Sequence, residues 1–147
     1  MTTKKLKRGI TEIYYGDNDL VYYPAIGLIT RALGHDFNIL IIQFKENYVT
    51  NILKSIFNNE KYLFDVTKKD NLEFVYNFAL EKLSSRTYDI VLLDSILDFF
   101  EELGEIKLVD LIKKRPFDVE LVLTGKINEL PKSIYNSAEL ITMVEEK

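Results

Sequence analysis

The sequence predicts a single α/β domain of three layers, in which helices cover both faces of a mainly parallel sheet. Two observations predict this class. Three short apolar runs, Ile39–Ile42, Ile90–Leu93 and Leu121–Leu123, show no alternation of polar and apolar residues, which is typical of strands buried on both faces. Segments with helical spacing separate the runs, and connections of this length suit right-handed βαβ units rather than hairpins.

Three weaker segments complete the predicted sheet. Ile10–Tyr15 alternates polar and apolar residues and ends at Gly16, whereas Tyr62–Val66 is short. Leu140–Val144 has the pattern of a last strand at the edge of the sheet.

Four segments have helical spacing: Pro24–Leu33, Val49–Phe57, Leu72–Leu83 and Ile106–Lys114. Gly34 follows the first of them, and we expect it to supply the left-handed residue that closes the helix. Asp70 precedes the third and is its predicted N-cap. The fourth is expected to end before a proline, because the residue preceding a proline is pushed out of the helical region.

Composition restricts the classes of function. The chain has 147 residues, no cysteine and a net charge of -4, so we predict one domain over residues 1–147 with no thiolate metal site and no nucleic-acid partner. A single histidine also argues against a histidine-rich metal site, and we expect no bound metal. Because no apolar run reaches the roughly 18 residues of a membrane span, we expect a cytoplasmic protein without a membrane partner.

The turn between the first strand and the first helix is the predicted place for chemistry, since ligands of such sheets bind at the carboxyl ends of strands. A loop that binds phosphate uses glycines, a lysine and a hydroxyl that holds magnesium. Of these features only Gly16 is present in the turn, which also carries Asp17 and Asp19. A carboxylate about 4 Å from a phosphate charge costs about 4 kcal/mol at an effective dielectric near 20.

Several fragments, in order along nearly the whole chain, carry a resemblance to a known family. They are Ile13-Tyr14-Tyr15-Gly16-Asp17, Arg31-Ala32-Leu33-Gly34-His35, Gln43-Phe44-Lys45, Tyr88–Asp94, Glu120–Lys126 and Ala138–Met143. With them the chain resembles the ATP:corrinoid adenosyltransferases of the P-loop class, which transfer the adenosyl group of ATP to the cobalt of a reduced corrinoid. The resemblance implies a P-loop NTPase-like (RecA-like) topology, with ATP, Mg²⁺ and a corrinoid as ligands.

The chain departs from the family in the loop, which identifies it as a degenerate member. The family's loop begins at a glycine, here Gly16, and continues through glycines, lysines and paired threonines. Asp17 follows Gly16 here, and the corresponding positions are held by Asn18, Asp19, Leu20, Val21, Tyr22 and Tyr23. The glutamate that follows the family's strand aspartate is Ser95, and the chain has no tryptophan.

Four other residues are candidate remnants of the ligand site: Asp94, Gln43, Lys45 and Lys126. Asp94 resembles the family's metal-side aspartate, but an aspartate that ends a buried strand can simply cap the next helix, and we favour that interpretation. Lys126 stands where the family has a basic residue near the nucleotide, or is a surface lysine after a glycine turn. We expect the rings of Tyr22 and Tyr23 to close or line the former phosphate space, because apolar side chains gain from burial there.

The sequence therefore predicts a non-catalytic relative that needs no cofactor and binds a partner chain or itself. Self-association is expected from nine tyrosines and nine phenylalanines, together with the lack of the tail with which the family closes over its substrates. Two alternatives stay open: an active adenosyltransferase with an atypical ATP site, and a small-molecule sensor that keeps a corrinoid or nucleoside pocket.

Overall fold

The computed structural model describes residues 6–48, 51–52, 55, 63–65 and 71–146. Its strands are β1 (Thr11–Gly16), β2 (Ile39–Gln43), β3 (Leu63–Asp65), β4 (Ile90–Asp94), β5 (Glu120–Lys126) and β6 (Leu140–Met143). Its α-helices are α1 (Tyr23–Gly34), α2 (Leu72–Ser84), α3 (Phe100–Leu103), α4 (Glu105–Lys113) and α5 (Lys132–Tyr135). Two 3₁₀ helices cover Asp19–Tyr22 and Ile96–Phe99.

The described strands form one sheet in the order β3-β2-β4-β5-β1-β6, and every neighbouring pair is parallel. The three unbroken apolar runs form β2, β4 and β5, which lie inside the sheet and are buried along those runs. The prediction of a mainly parallel sheet is confirmed, and so is the edge position of the last strand. Because β5 separates β1 from β4, the loop after β1 faces the end of β4 across one intervening strand.

Helices cover both faces of the sheet, which gives the predicted three layers. One core cluster joins α1 to the sheet residues that face it: Ala25, Ile29, Ala32, Ile39, Ile41, Ile90, Leu92 and Val122. The other cluster lies on the opposite face and includes residues of α2 and α4, among them Val75, Ala79, Leu83, Leu108, Leu111 and Ile112. Each fully buried Leu, Ile or Val stabilises the fold by about 1.5–3 kcal/mol.

The first helix begins as its sequence predicts and ends differently. Pro24 lies in the first turn, where its missing N–H costs little. At the other end Gly34 is still helical, and the left-handed residue is Asp36, with a φ of 60°. Asp36 N–H donates to Leu33 O, and Phe37 N–H donates to Ala32 O, both at 3.1 Å. The prediction that Gly34 closes the helix was wrong, because aspartate also tolerates the left-handed region.

The N-cap predicted for α2 was displaced by one residue. Asn71 is the N-cap, and its side-chain oxygen accepts the Phe74 N–H at 3.2 Å, while Asp70 lies outside the described residues. The predicted helix Val49–Phe57 also lies largely outside them. Among the residues that the structure describes, no helix combines the length and the apolar character needed to cross a membrane.

Two glutamates interact across the neighbouring strands β1 and β5. Glu12 is buried and accepts the Tyr14 hydroxyl at 2.9 Å, while Glu120 accepts the Ile10 N–H at 2.7 Å. Burial, and then the hydrogen bond with Glu12, raises the pKa of Glu120 to about 8. The pair therefore holds a proton at neutral pH.

Glu120→Gln is expected to remove part of the pH dependence of stability. Since the folded pKa lies above the unfolded value of 4.5, the native state binds more protons between about pH 4.5 and 8. The contribution of protonated Glu120 to the free energy of unfolding is complete below that range and is lost as pH rises through it. After discounting for partial exposure, we expect the wild type to lose about 1–2 kcal/mol between pH 5 and 9 from this pair, and Glu120→Gln to keep that stability.

Urea unfolding over a pH series measures this difference. Glu129→Gln, at an exposed glutamate, is the matched control and should keep the wild-type slope. Equal slopes for Glu120→Gln and the wild type would contradict the prediction.

Candidate functional site

The carboxyl ends of the strands bring the predicted site residues to one edge of the sheet. Gly16 of β1 lies in register with Lys126 of β5, and Gln43 of β2 lies in register with Asp94 of β4. The loop Gly16–Tyr23 leaves β1 at the same edge. Residues far apart in the sequence therefore surround one region of the molecule.

Asn18 fixes the loop after β1. Its Oδ1 accepts the Leu20 N–H at 3.0 Å, and its Nδ2 donates to Val144 O at 3.0 Å. The chain then turns through the 3₁₀ helix Asp19–Tyr22, after which Tyr23 N–H donates to Leu20 O. The loop thus uses the Leu20 amide for its own structure.

Two adjacent residues of the loop lie in the interior, and the residues on either side of them face the solvent. Val21 and Tyr22 are 0% and 3% exposed, whereas Leu20 and Tyr23 are 41% and 42% exposed. Of the two rings expected to fill the space, Tyr22 lies inside and Tyr23 lies at the surface.

Tyr22 joins the loop to the segment that follows β4. Its hydroxyl donates to both oxygens of the Asp98 carboxylate, at 2.9 and 3.0 Å. Burial, reinforced by Asp98, raises the pKa of Tyr22 well above its ordinary value. The hydroxyl is therefore a permanent donor at physiological pH.

Asp98 accepts two further donors from other parts of the chain. The backbone N–H of Lys126 lies 2.7 Å from Asp98 Oδ1, and Lys45 Nζ lies 3.4 Å from Asp98 Oδ2. The Asp98 side chain is only 7% exposed. A carboxylate this buried is stable because charge-assisted hydrogen bonds surround it.

The second ammonium group of the site is also paired. Lys126 Nζ lies 2.9 Å from Asp19 Oδ1 in the loop, and the hydrogen bond to Asp19 raises the pKa of Lys126. Both lysines that the sequence singled out therefore have a carboxylate of the chain as their counter-ion.

Asp94 and Gln43 lie deeper, at the ends of β4 and β2. Asp94 accepts the Thr124 hydroxyl and the Asn47 amide, both at 3.1 Å. The N-cap of the following 3₁₀ helix is Ser95, and its side chain makes no capping bond. Gln43 is fully buried, and neither atom of its amide has a hydrogen-bond partner in the described structure.

Two pockets open beside these residues. The smaller has a volume of about 420 Å³ and is lined by Asp19, Leu20, Tyr22, Tyr23, Lys45, Glu46, Asn47, Tyr48 and Lys126. The larger, of about 720 Å³, is lined by Asp17, Leu97, Asp98, Phe100, Glu101, Glu102, Lys126, Ile127, Asn128 and Glu129. Both volumes fall within the range of small-molecule pockets. Within the described ranges, no group of three or more His, Cys, Asp or Glu side chains is placed to hold a metal ion.

Sequence reasoning missed Asp98, although it contacts more of the candidate residues than any other side chain described above. The one available signal was its position four residues after Asp94, just beyond the end of a buried strand. Asn47 was missed too, and its amide joins Asp94 to Ser95 Oγ.

Comparison with known proteins supports the fold and the family. The crystal structure of the flagellar accessory protein FlaH from Methanocaldococcus jannaschii is similar, with a TM-score of 0.62 and 14% identity over 94% of this chain and 72% of that one. At this identity the likeness concerns the fold alone, and it agrees with the P-loop-like topology predicted from the sequence. No curated protein matches the chain.

The sequence model of the family described as ATP:corrinoid adenosyltransferase BtuR/CobO/CobP matches residues 7–147. The match includes the loop, all the described strands and the four candidate remnants. The chain therefore belongs to the ATP:corrinoid adenosyltransferase family.

Proposed function

We propose that this chain is a non-catalytic member of its family, which uses the fold for binding and does not take up the triphosphate of ATP. The observation that carries the proposal is the buried Tyr22, whose hydroxyl donates to the Asp98 carboxylate. Tyr22 stands where the family has a threonine of the phosphate loop. The tyrosine hydroxyl at that position is bonded to Asp98, so the loop does not supply the free hydroxyl that would hold magnesium.

The residues present do not fit magnesium-bound triphosphate. That ligand requires free backbone amides, a lysine and a hydroxyl in the loop. Between Gly16 and Pro24 there is no lysine, serine or threonine, and the Leu20 amide is bonded to Asn18. The charges of Lys45 and Lys126 are balanced by Asp98 and Asp19. Each of these carboxylates lowers the attraction of its ammonium group for a phosphate.

An assay of adenosyl transfer tests the proposal. Purified protein is mixed with MgATP and a chemically reduced corrinoid, and formation of the cobalt–carbon bond is followed by absorbance. We expect no product above the reaction without protein. Turnover at a rate that scales with protein concentration would show instead an active adenosyltransferase with an atypical ATP site.

We also propose that the chain binds a second copy of itself through the free edge of β6. Leu140 and Met143 are 43% and 51% exposed on this edge strand. The strand Leu140–Met143 contains no proline and no charge, although natural edge strands commonly use such residues to prevent pairing. Tyr135, 55% exposed on α5 shortly before β6, adds apolar surface nearby.

The direction of the backbone groups supports one symmetric register. Val144 N–H donates to Tyr15 O on β1, so alternation along the strand, in the register of Leu140 with Glu12 and Thr142 with Tyr14, points the N–H and C=O of Ile141 and Met143 outward. A two-fold axis at Ile141 pairs Leu140 with Thr142 of the second copy. An axis at Thr142 would instead place Glu139 opposite Glu145 of the second copy, and like charges directly opposed are unfavourable.

Single cysteines test this register, because the chain has no cysteine of its own. Under mild oxidation Ile141→Cys is expected to form a disulfide-linked dimer, since residues on the axis face each other at close to disulfide distance. Thr142→Cys is the matched control and should stay uncrosslinked. A monomeric mass for the wild type by light scattering at tens of micromolar would contradict self-association.

A further inference from the structure

We propose that the Asp98 carboxylate fills an oxyanion-binding site of its own chain. The surrounding groups bind phosphate or sulfate once this carboxylate is removed. The inference rests on the proposed function, because it explains how the site is held closed. It adds a site that differs in its residues from the glycine-rich phosphate loop of the family.

Three donors from separate segments converge on the Asp98 carboxylate. They are the Lys126 backbone N–H at 2.7 Å, the Tyr22 hydroxyl at 2.9 and 3.0 Å, and the Lys45 ammonium at 3.4 Å. A backbone amide, a hydroxyl and a cation are the groups with which proteins bind phosphate and sulfate. The donors are held by β5, by the loop after β1 and by the segment after β2, so their arrangement does not depend on Asp98 alone.

The site is reachable from solvent through the larger pocket. Asp98 and Lys126 both line that pocket of about 720 Å³, whereas Tyr22 and Lys45 line the pocket of about 420 Å³ together with Lys126. Truncation of Asp98 would therefore widen the space between the donors on the side of the larger pocket. Other carboxylates also line the pocket, namely those of Asp17, Glu101, Glu102 and Glu129. They repel an anion, and we therefore expect binding in the millimolar range and strengthened at low ionic strength.

The experiment compares Asp98→Ala with the wild type in inorganic phosphate and in sulfate. Thermal unfolding is followed at low ionic strength, with chloride at equal ionic strength as the reference. We expect Asp98→Ala to bind phosphate and sulfate at least tenfold more tightly than the wild type, seen as a rise in Tm that grows with anion concentration. Asp110→Ala, which removes an exposed carboxylate on α4, controls for the change in net charge and should behave as the wild type.

A second substitution locates the binding. Adding Lys45→Ala to Asp98→Ala is expected to abolish the gain in affinity for phosphate and sulfate. If Asp98→Ala does not fold, Asp98→Ser leaves similar space and serves in its place. A folded Asp98→Ala or Asp98→Ser that binds neither anion better than Asp110→Ala would overturn the inference. This result leaves the proposed function untouched, because that proposal concerns the wild type and MgATP.

Discussion

Tyr22→Ala is expected to lower the free energy of unfolding by about 3–5 kcal/mol, the usual cost of deleting a buried aromatic ring. The ring is 3% exposed, so its removal leaves a cavity between the loop and the 3₁₀ helix after β4. It also deprives the buried Asp98 carboxylate of its hydroxyl donor. Urea unfolding followed by circular dichroism measures the loss.

Two variants separate the ring from the hydroxyl. Tyr22→Phe keeps the ring and is expected to cost about 1–2 kcal/mol, because Asp98 loses a donor. Tyr23→Ala, at a neighbouring side chain that is 42% exposed, should cost less than about 1 kcal/mol. If Tyr22→Ala and Tyr23→Ala cost the same, Tyr22 does not fill the site as described.

Gly125→Ala is expected to destabilise the fold by about 2–4 kcal/mol through overpacking. A Cβ at Gly125 would lie 2.5 Å from Leu97 Cβ and 2.7 Å from Asp98 N. Such contacts force β5 away from the 3₁₀ helix that carries Asp98. Chemical unfolding measures the effect, and calorimetry should show a lower enthalpy of unfolding in parallel.

Gly34→Ala is the matched control, because a Cβ there meets no atom within 4 Å. Gly34 is the last residue of α1 and is helical, so alanine is expected to be neutral or to stabilise by up to about 1 kcal/mol. A neutral Gly125→Ala would show that β5 and the 3₁₀ helix are further apart than the structure places them.

The central sheet could be predicted from the sequence because its signal is local. The unbroken runs at β2, β4 and β5 fit few structures other than buried parallel strands. The end of α1 could not be predicted in the same way, because Gly34 and Asp36 both tolerate a left-handed conformation. The hydrogen bonds of the Asp36 and Phe37 amides to the last turn determine which of the two adopts it.

The position of the candidate site could be predicted from the sequence, but the contacts between its side chains could not. A turn at the carboxyl end of β1 is a ligand position in any sheet of this kind, and the substitutions in the loop were visible in the sequence. The hydrogen bond between Tyr22 and Asp98 was not visible there, because the two residues are 76 positions apart in the sequence. Only the order of the strands brings them together. The pairing of Lys126 with Asp19 was hidden for the same reason.

Titration of the wild-type protein with MgATP by isothermal calorimetry tests the central claim most directly. If Tyr22 and the paired carboxylates close the phosphate site, we expect no saturable heat below about 1 mM ATP, which corresponds to a binding free energy weaker than about -4 kcal/mol. The presence of a reduced corrinoid should not change this result. Binding at micromolar concentration that requires magnesium would contradict the account.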